Sequence, residues 1–564
     1  MSSDLSVGTA VQSGNRTIVT GTTSGLDTNS LIENSVAQNN AKADQIDIRI
    51  QENQEQIDAY NEYFGLAQSL QDSLSGLKSS TSRVEDEASL FDQRIGSLSS
   101  AGSDGLISVT LEEGAPTGSY QFTVEQKAEV FSIGSTIVSD KDADFGGSGI
   151  FEINLDGYTA QEVTVDTTDS LQDIADKINA TSEESGIEAS ILKISETDYQ
   201  LILSGVDTNQ AMNVQTLSGN LLQTLGFVDA TDTFEAAQII QNEQGSIITY
   251  NGATITRDDN QYDDLIEGID LQINAAEPGT TITLDVNNDA SATKDAIVAF
   301  VNSYNAYRDF VIQNQQVNAD GTLPEDAVLF SEPLLENLSF DLTNLLAGSG
   351  NAENSSINSL RDLGISFDEE NRLVIDNETA LDDALISNFD DVADFFRTDF
   401  TSSSSQLDII TNTSSASNLD FDLQIVTDTD GTMLSASVDG DSTAFEIDGT
   451  RLIGRNGTEY EGLTLAYVGS DDATISISLT AGIADQMFNL LEGYTNPVDG
   501  LIQQETIALQ SQNDGYQTEV EEILLRGEEI REREINKYAR MEAELARLES
   551  LRNTIAALLG NDDD

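Results

Sequence analysis

The C-terminal stretch from Tyr516 to Leu559 limits what this chain can fold into more than any other segment. Its apolar residues recur at steps of three and four along the whole stretch, which predicts one long amphipathic helix. The seam is narrow, the width that packs against another helix rather than against a sheet. The eleven-residue step from Ile530 to Met541 locally relaxes left-handed supercoiling. A helix of this kind needs a partner.

The N-terminal part of the chain offers a candidate partner. Asp27 or Thr28 is of the type that caps a helix, and apolar residues follow at helical spacing. From Ala43 onward they keep a heptad register, which Asn53 and Gln71 interrupt. We therefore predict a stalk formed by the two ends of the chain. Two unrelated amphipathic helices on separate cores are the alternative that the period alone leaves open.

The predicted stalk or assembly interface consists of apolar residues on these two seams. We assign to it Leu31, Ile46, Ile50, Ile57, Tyr60, Phe64, Leu74, Val520, Ile523, Ile530, Tyr538, Met541, Leu545, Leu548 and Ile555. The set predicts that the N-terminal helix and the C-terminal helix contact each other along their length.

The composition excludes several classes of function. The chain holds 25 Lys and Arg against 100 Asp and Glu, a formal net charge of −75 that repels nucleic acid and anionic membranes. It contains no cysteine and no histidine, which excludes disulfides, Cys-ligated zinc and the usual catalytic triads. We therefore expect no enzymatic activity and no cofactor. Because salt screens such repulsion, the charge suggests a saline external medium as a hypothesis.

The sequence shows no conventional targeting segment. Residues 1–21 contain one basic residue, Arg16, and no apolar core longer than Ile18-Val19, unlike a cleaved secretory signal. No run approaches the roughly 18 consecutive apolar residues of a membrane span. We expect no membrane insertion and, if the chain is exported, a route that recognises another signal.

The middle of the chain alternates between β-rich and helical sequence. Apolar residues repeat with period two between Gly96 and Val286, interrupted by a helical pattern over Ser170–Asn179. The patterns that follow predict a helix over Lys294–Val311, mostly helical sequence over Phe330–Phe400 with a hairpin-like segment at Leu360–Asp376, a Ser/Thr-rich linker over Thr401–Asn418, strands over Leu419–Leu479 and helices from Ala484. Residues 2–24 are polar and without period, which predicts disorder in the free chain.

One internal repeat stands out in the β-rich sequence. The segment Ile248–Ile255 leads to Tyr262, two strand patterns and a helix. The segment Phe445–Leu452 leads to Tyr460, two strand patterns and a helix. We predict two related β-units that each continue into a helix. A chance likeness between β-meanders is the alternative.

Acidic motifs give no specific signal for catalysis or metal binding. The run Asp428-Thr-Asp-Gly431 resembles part of a calcium loop, but Val426 and Ser437 stand where an EF-hand requires acidic ligands. Carboxylate pairs that could mark a glycosidase are expected by chance among 100 acidic residues. We therefore predict no metal site and interpret the acidic residues as solvated surface.

Basic residues are concentrated in the C-terminal helix. Seven of the 25 fall there, at Arg526, Arg531, Arg533, Lys537, Arg540, Arg547 and Arg552. Glu522 precedes Arg526 by four residues and Glu529 precedes Arg533 likewise, the favourable order for ion pairs along a helix. This helix is therefore the part of the chain least repelled by copies of itself.

Short motifs along nearly the whole chain resemble those of one protein family. They are Gly25-Leu-Asp-Thr-Asn-Ser-Leu-Ile32, Gly118-Ser-Tyr-Gln-Phe-Thr-Val-Glu-Gln-Lys-Ala128, Ser170–Asn179 with Gly186-Ile-Glu-Ala189 and Tyr199-Gln-Leu-Ile-Leu203, Phe300-Val-Asn-Ser-Tyr-Asn305, Leu360-Arg-Asp-Leu-Gly-Ile365 with Leu373-Val-Ile-Asp376, and Tyr538-Ala-Arg-Met-Glu-Ala-Glu-Leu545. In this order they resemble the flagellar filament cap proteins, the hook-associated protein 2 family. Lys127 replaces the family's usual leucine, and the unit 419–479 is larger than in the shortest members.

The resemblance implies a multidomain α+β fold. Long N- and C-terminal helices would pair as a coiled-coil-like stalk, with nested antiparallel β-rich head domains inserted between them. The implied division is 1–40 as a flexible N-terminal export or docking segment, 41–85 as the N-terminal stalk helix, 86–290 as β-rich head domains with 137–235 nested as the outer one, 291–400 as a mainly helical core domain, 401–480 as a linker and an extra β-unit resembling 247–286, and 481–564 as C-terminal stalk helices.

The resemblance also implies a role outside the cell, at the tip of the bacterial flagellum. A ring of identical subunits, expected to be a pentamer, would hold exported flagellin there so that it folds and inserts. Further implied partners are the hook-filament junction proteins, a cytoplasmic export chaperone and the flagellar type III export apparatus. The terminal helices would become ordered on docking.

Two other classes of function are compatible with the sequence. A structural filament subunit or hook-filament junction protein shares terminal helices around a β-rich middle. A surface adhesin or a glycan-acting enzyme is compatible with the acidic, cysteine-free composition. The segments Phe300–Asn305 and Leu360–Asp376 favour the cap.

Overall fold

The computed structural model describes residues 9–13, 16–20, 23–79, 89–348, 355–414 and 418–559. Contacts divide the chain into two units, which we call the terminal unit, Met1–Glu87 with Thr293–Asp564, and the middle unit, Ala88–Ala292. The fold is multidomain α+β, with long helices near both chain ends and antiparallel sheets between them. The finer six-part division given above remains a prediction.

The described N-terminal residues form a hairpin. Strand β1, Thr9–Ser13, pairs antiparallel with β2, Arg16–Thr20. The predicted disorder over residues 2–24 is therefore wrong for these two strands. Their backbone groups pair with each other, and β-branched residues such as Ile18 and Val19 favour extended backbone. The rest of that prediction, up to residue 22, lies outside the described residues.

Helix α1, Thr28–Ser73, begins where the capping pattern predicts. The Asp27 carboxylate accepts a hydrogen bond from the Ser30 amide at 3.1 Å, the usual N-cap contact. The helix thus starts before residue 41 and ends before residue 85, the bounds that the resemblance implied. The early start follows from the cap and from the burial of Ile32 and Val36.

The middle unit is built mainly of strands. Its strands are β3 (Arg94–Ser100), β4 (Ile107–Leu111), β5 (Gly118–Gln126), β6 (Ser132–Gly134), β7 (Gly149–Leu155), β8 (Gln161–Val165), β9 (Ile187–Lys193), β10 (Tyr199–Gly205), β11 (Met212–Gly219), β12 (Ile239–Gln241), β13 (Ser246–Tyr250), β14 (Ala253–Arg257), β15 (Gln261–Ile266), β16 (Ile269–Ile273) and β17 (Thr281–Asn288). Its helices are α2 (Leu171–Asn179), α3 (Ser182–Ser185) and α4 (Leu221–Leu225).

Two hydrophobic cores organise the middle unit. Sheets β14-β13-β5-β17-β3 and β15-β16-β4 contribute the first core, which contains Phe122, Ile248 and Leu284. Sheets β12-β6-β10-β9 and β11-β7-β8, with α2, contribute the second core, which contains Ile153 and Leu203. The chain of the second core lies between β5 and β13, so one β-domain is nested within the other in sequence.

Helix α2 confirms the helical pattern predicted within the β-rich sequence. The Ser170 hydroxyl accepts from the Asp173 amide at 3.2 Å, and the Asp173 carboxylate accepts from the Ser170 amide at 2.9 Å. These reciprocal bonds form a capping box, and the Ser170 hydroxyl and amide, both donating to the Asp173 carboxylate, lower the pKa of Asp173. The helix then buries Leu171, Ile174 and Ile178 against the second core.

The remaining elements follow β17 in the chain. They are α5 (Ala290–Gln315), α6 (Pro333–Ala347), a 3-10 turn (Leu360–Leu363), β18 (Ile365–Phe367), β19 (Leu373–Ile375), α7 (Glu378–Ser387), α8 (Phe389–Phe396), β20 (Asp399–Ser402), β21 (Leu407–Asn412), β22 (Asn418–Thr427), β23 (Met433–Val438), β24 (Phe445–Asp448), β25 (Arg451–Gly454), β26 (Leu463–Tyr467), β27 (Ala473–Thr480), α9 (Ile483–Thr495) and α10 (Leu501–Leu559). The pairing of β18 with β19 confirms the predicted hairpin.

The predicted Ser/Thr-rich linker over Thr401–Asn418 is wrong. Strand β20 pairs with β27, and β21 pairs with β26, so the segment belongs to a β-sandwich. Leu407 and Leu419 are buried in its core. Serine and threonine were misleading because they suit the solvated face of a strand as well as a loop. Residues 415–417 lie outside the described ranges.

The internal repeat is visible in the strand order, with one difference. The order β13-β5-β17-β3 beside β15-β16-β4 recurs as β23-β22-β27-β20 beside β25-β26-β21. Gly268 and Gly462 occupy matching places before β16 and β26, both with positive φ, and each carbonyl accepts an amide at 2.9 Å, from Glu112 and Thr413 respectively. However, the hairpins matched by sequence, β13-β14 and β24-β25, lie in non-equivalent sheets. The nested domain falls between β5 and β13, where the second copy has only the turn from Thr427 to Met433.

Candidate functional site: the paired terminal helices

Helices α1 and α10 pack against each other in the terminal unit, in antiparallel orientation. Ile32 and Val36, near the start of α1, pack with Ile535. Ala43 and Ile46, further along α1, pack with Ile523, which comes earlier in α10. Residue numbers rise along one helix as they fall along the other. The pairing of the two chain ends, which the periodicity predicted, is present.

Six of the fifteen predicted interface residues belong to the two clusters that join α1 and α10, namely Ile46, Ile50, Val520, Ile523, Ile530 and Tyr538. Ile46, Ile57, Tyr60, Leu74 and Ile523 are buried. Ile50, Val520, Ile530 and Tyr538 are partly buried against the two clusters. Phe64, Met541 and Leu545 are half-buried.

Three predicted residues lie outside the contact. Leu31 is 41% exposed, Leu548 is 60% exposed and Ile555 is 53% exposed. Helix α1 starts at Thr28, and Thr23 just before it meets Glu542, so α10 continues past its partner at Leu548 and Ile555, whereas Leu31 lies on the exposed face of α1. Residues 546–557 are accordingly exposed throughout. The assembly role of the predicted set stays a prediction.

The periodicity did not identify one buried residue of the contact between α1 and α10 near the chain ends. Ile535 is only 1% exposed, less than either Ile530 or Tyr538 beside it. It falls inside the eleven-residue step from Ile530 to Met541, where the stripe moves around the helix. The eleven-residue step was the signal in the sequence that could have identified Ile535, because a shift of the seam around the helix turns a neighbouring position toward the partner helix. Tyr63 was missed likewise, beside the predicted Phe64, and it is fully buried.

The backbone of α10 lies close to α1 at Gly527, near the middle of the seam, and this explains the glycine there. Gly527 is buried, and a Cβ there would lie 2.5 Å from the Asn40 side-chain oxygen. The Asn39 amide donates to the Ile523 carbonyl of α10 at 2.8 Å. Glycine lowers helix propensity but lets a neighbouring helix approach. The polar side chains of α1 therefore meet α10 at a defined position.

The two predicted polar interruptions, Asn53 and Gln71, form hydrogen bonds with side chains of α10 and α9, respectively. The Asn53 side chain donates to Gln512 at 2.7 Å and to Asn513 at 2.9 Å. Gln71 donates to Glu492 of α9 at 2.6 Å and accepts from Thr495 at 2.6 Å. A polar residue on an apolar seam costs stability unless it finds its partner, so such pairs favour one register.

Carboxylates anchor both ends of α1. Glu542, a buried residue of α10, accepts from the Thr23 amide at 2.9 Å and from the Ser24 hydroxyl. Asp485, at the start of α9, accepts from the Ser79 hydroxyl at 2.9 Å and from the Thr398 amide at 2.7 Å. Hydrogen bonds to ionised groups are stronger than neutral ones. The segments before and after α1 are thereby attached to the C-terminal helices.

A tyrosine cluster joins α1 to the helices around it. The hydroxyls of Tyr63 and Tyr307 lie 3.4 Å apart, and the Tyr60 hydroxyl donates to Glu332 at 3.0 Å. Burial, followed by the Glu332 charge, raises the pKa of Tyr60, and burial raises the pKa of Tyr63 and Tyr307.

We predict that the free energy of unfolding falls as the pH rises above about 10. Below that pH all three phenols are protonated in both states, so they add no pH dependence. Above it the unfolded chain loses protons that the folded chain retains, which favours unfolding. Urea midpoints between about pH 9 and about pH 11 measure this. Substitution Tyr63→Phe should reduce the slope, and an unchanged slope in that variant would contradict the assignment to Tyr63.

The described residues show no metal-binding cluster and no membrane-spanning helix. Across the described ranges, no group of three or more His, Cys, Asp or Glu side chains could hold a metal ion. The Asp428 carboxylate instead accepts from the Asp430 and Thr432 amides, both at 2.9 Å, within its own turn. No helix within those ranges is long and apolar enough to span a bilayer.

Family models match most of the chain. The model described as the flagellar hook-associated protein 2 C-terminus matches residues 244–550, more than half of the sequence. The model described as the flagellar hook-associated protein 2 N-terminus matches residues 24–130. The flagellin hook IN motif matches residues 151–207, within the nested domain of the middle unit. The two larger matches together include most of α1 and α10.

Individual relatives agree with the family models. The B-type flagellar hook-associated protein 2 of Pseudomonas aeruginosa is 27% identical over 312 residues, 52% of this chain and 65% of that protein. Flagellar hook-associated protein 2 of Salmonella typhimurium is 27% identical over 226 residues, 38% of this chain and 47% of that protein. The crystal structure of the D1-D2-D3 domains of the flagellar cap protein FliD from Escherichia coli aligns with a TM-score of 0.45 at 21% identity, covering 60% of this chain and 90% of that chain. The chain thus spans less than two thirds of the length of either curated relative.

Proposed function

Because the chain belongs to the flagellar hook-associated protein 2 family, we propose that it caps the distal end of a growing bacterial flagellar filament. In this role a ring of identical subunits, a pentamer in our proposal, retains exported flagellin and promotes its folding and insertion. The site of action is extracellular, at the filament tip. The role is structural, without catalysis.

The antiparallel pairing of the two chain ends is the observation that best supports this proposal. The N-terminal half of α1 and the stretch of α10 that faces it depend on each other for burial, since Ile32 and Val36 pack on Ile535. An exported chain would therefore leave both seams open until the ends pair. This suits a subunit that crosses an export channel unfolded and orders its stalk on arrival, since a lone amphipathic helix is marginally stable in water.

The exposed end of α10 supports the proposed partners. Residues 546–557 extend past α1 with Leu548, Leu551 and Ile555 exposed. We propose that this end, together with the stalk, serves in turn the cytoplasmic export chaperone, the flagellar type III export apparatus, the hook-filament junction proteins and flagellin. The charge of −75 speaks against nucleic acid as a further partner.

Deletion of the gene tests the proposal. The mutant should secrete monomeric flagellin into the medium and carry short filaments or none, because nothing retains flagellin at the tip. Complementation with the wild-type gene should restore filaments, and Western blots of the medium with electron microscopy of the cells provide the measurement. Filaments of normal length in the mutant would exclude the cap role.

The same experiment separates the alternatives. If the protein is instead a structural filament or junction subunit, the deletion mutant should lack that component along the filament or at its base. A surface adhesin would leave filaments intact and reduce attachment. Hydrolysis of glycans by the purified protein would favour the enzymatic alternative.

A further inference from the structure

A cavity of about 460 Å³ lies in the terminal unit between helices α6 and α9. Its lining includes Asp341 and Leu345, which are four residues apart on one face of α6. From α9 it includes Gln486, Asn489 and Leu490, which share a face of their helix in the same way. The volume lies within the range of small-ligand pockets, about 300–1,000 Å³. We call this cavity the α6–α9 pocket.

Ser414, two residues after the end of β21, also lines the pocket. The residue is only 6% exposed, and its amide donates to the Asn412 side-chain oxygen at 3.1 Å. Its hydroxyl has no hydrogen-bond partner within the described ranges. Buried hydroxyls in native proteins are nearly always paired, because an unpaired one has lost its bonds to water. The Ser414 hydroxyl therefore indicates a ligand that supplies the missing partner.

The amide side chains of α9 present free oxygen acceptors. Gln486 donates through its side-chain nitrogen to the Ala481 carbonyl at 2.8 Å. Asn489 donates in the same way to the Asn412 carbonyl at 2.9 Å. In the part of the chain that the structure describes, neither side-chain oxygen accepts a hydrogen bond. Because the nitrogens are already used, a ligand would meet these two side chains through their oxygens and would have to donate.

The Asp341 carboxylate adds a negative charge on the facing helix. It has no hydrogen-bond or ion-pair partner among the described residues. Burial raises the pKa of the Tyr494 phenol of α9, and the charge of Asp341 raises it further. The carboxylate of α6 therefore lies within electrostatic reach of α9. No lysine or arginine belongs to the described lining, so the pocket lacks a cation of its own.

The apolar part of the lining completes the selection of a ligand. Leu345 of α6 and Leu490 of α9 add apolar surface on both helices. An apolar wall beside a negative charge suits a side chain with a methylene stem and a cationic head, as in lysine and arginine. The guanidinium of arginine has five N–H donors in a planar fork, whereas the lysine ammonium has three. Acceptors on two different helices favour the larger number of donors.

We propose that the α6–α9 pocket binds an arginine side chain of a partner protein. The methylene stem packs against Leu345 and Leu490. The guanidinium donates to the Asp341 carboxylate and to the side-chain oxygens of Gln486 and Asn489. Free arginine fits less well, because its own carboxylate would meet Asp341 without a cation in the lining to pair with it. The inference goes beyond the cap role and does not depend on it.

A blocked amino acid tests the pocket in the purified full-length chain. N-acetyl-arginine amide should bind with a dissociation constant of about 1 to 10 mM, measured by saturation-transfer NMR and titration. N-acetyl-citrulline amide has nearly the same shape without the charge, and it should bind at least about tenfold more weakly. Absence of arginine-probe binding at about 50 mM, or equal binding of the citrulline probe, would overturn the inference.

Substitution Asp341→Asn removes the charge and keeps the shape of the side chain. It should raise the dissociation constant of the arginine probe at least about threefold, since Asp341 is only half-buried and its attraction is partly screened. The matched control is Glu336→Gln, which removes the same charge from an exposed position of the same helix outside the pocket lining. The control should bind the probe like the wild type. Equal effects of the two substitutions would overturn the inference.

Substitution Ser414→Ala separates binding from folding. The hydroxyl has no partner in the unliganded protein, so its removal should leave the thermal midpoint unchanged or raise it. Binding of the arginine probe should weaken about two- to tenfold, because the ligand loses one hydrogen bond. A serine that serves folding alone would give the opposite pair of results, a lower midpoint with unchanged binding, and either of these would contradict a contact between Ser414 and the ligand.

Free L-arginine identifies the source of the guanidinium. The blocked arginine should bind at least as tightly as free L-arginine, because a partner protein presents the residue without a free carboxylate. Tenfold tighter binding of free L-arginine would assign the pocket to a free amino acid and overturn the proposal. All of these measurements use the purified chain, so their failure would leave the cap role untouched. The cap role is decided by the deletion mutant, whose readout is flagellin in the medium.

Discussion

Truncation of the chain after Asn513 should abolish cap function while the three β-sheet cores stay folded. The truncation removes Ile523 and Ile535, which cover Ala43, Ile46, Ile32 and Val36 on α1. The strands all precede the cut within the described residues, and their cores contain no residue from α10. The N-terminal half of α1 should then lose its partner and fray, since it cannot bury its seam in water.

The measurement combines motility with unfolding of the purified protein. The truncated gene should fail to complement the deletion mutant, and flagellin should appear in the medium. Urea unfolding followed by circular dichroism should retain the cooperative transition of the β-domains. Loss of that transition would refute the prediction, because it would show that the strands depend on α10.

A second truncation provides the control. Cutting after Leu545 removes only the stretch that extends past α1 and keeps Glu542 with its hydrogen bonds to Thr23 and Ser24. Amide exchange over residues 28–40 should match the full-length chain in this variant. Loss of function with an intact helix pair would assign a separate role to the exposed end of α10.

Substitution Ile535→Asp should open the helix pair near the chain ends. The side chain is 1% exposed and packs with Ile32 and Val36. Burying an unpaired carboxylate and losing the apolar contact together should cost at least about 3 kcal/mol locally. That corresponds to a more than hundredfold rise in the open population, which hydrogen exchange over residues 28–40 and 525–545 can measure.

The matched control is Leu524→Asp. This residue lies on the same helix, receives the same change, and is 44% exposed. It should leave amide exchange near the wild-type level, because its carboxylate remains in water. Equal effects of the two substitutions would contradict the placement of Ile535 in the seam. We expect Ile535→Asp, and not Leu524→Asp, to impair filament growth as well.

The elements that the sequence predicted best are those specified by local rules. The cap at Asp27, the helix over Ser170–Asn179 and the hairpin at Leu360–Asp376 each depend on residues only a few positions apart. Such signals do not need the rest of the molecule. The predicted linker failed for the opposite reason, since residues near Thr401 are strands only because β27 pairs with them from far along the chain.

The internal repeat shows the same difference between local signals and long-range pairing. Its final strands and its glycines at 268 and 462 were matched correctly, because their backbone conformation and periodicity are local. The assignment of each hairpin to a sheet was not available from the pattern. Whether β14 or β24 joins one sheet or the other depends on the edge that is open beside it.

The two long helices and their seams follow from the sequence, because helical periodicity relates each residue to its own neighbours three, four, seven and eleven positions away. Tertiary structure alone decided which helix faces which, and in what register. The Asn39 contact with the Ile523 carbonyl joins positions 484 residues apart. Gly527 leaves room beside Asn40, and Ile535, inside the eleven-residue step, packs on α1 together with the partly buried Ile530. Complementarity of shape between distant segments leaves no local pattern in the sequence. The C-terminal seam therefore predicted that α10 packs against another helix, and only the folded chain identified that helix as α1.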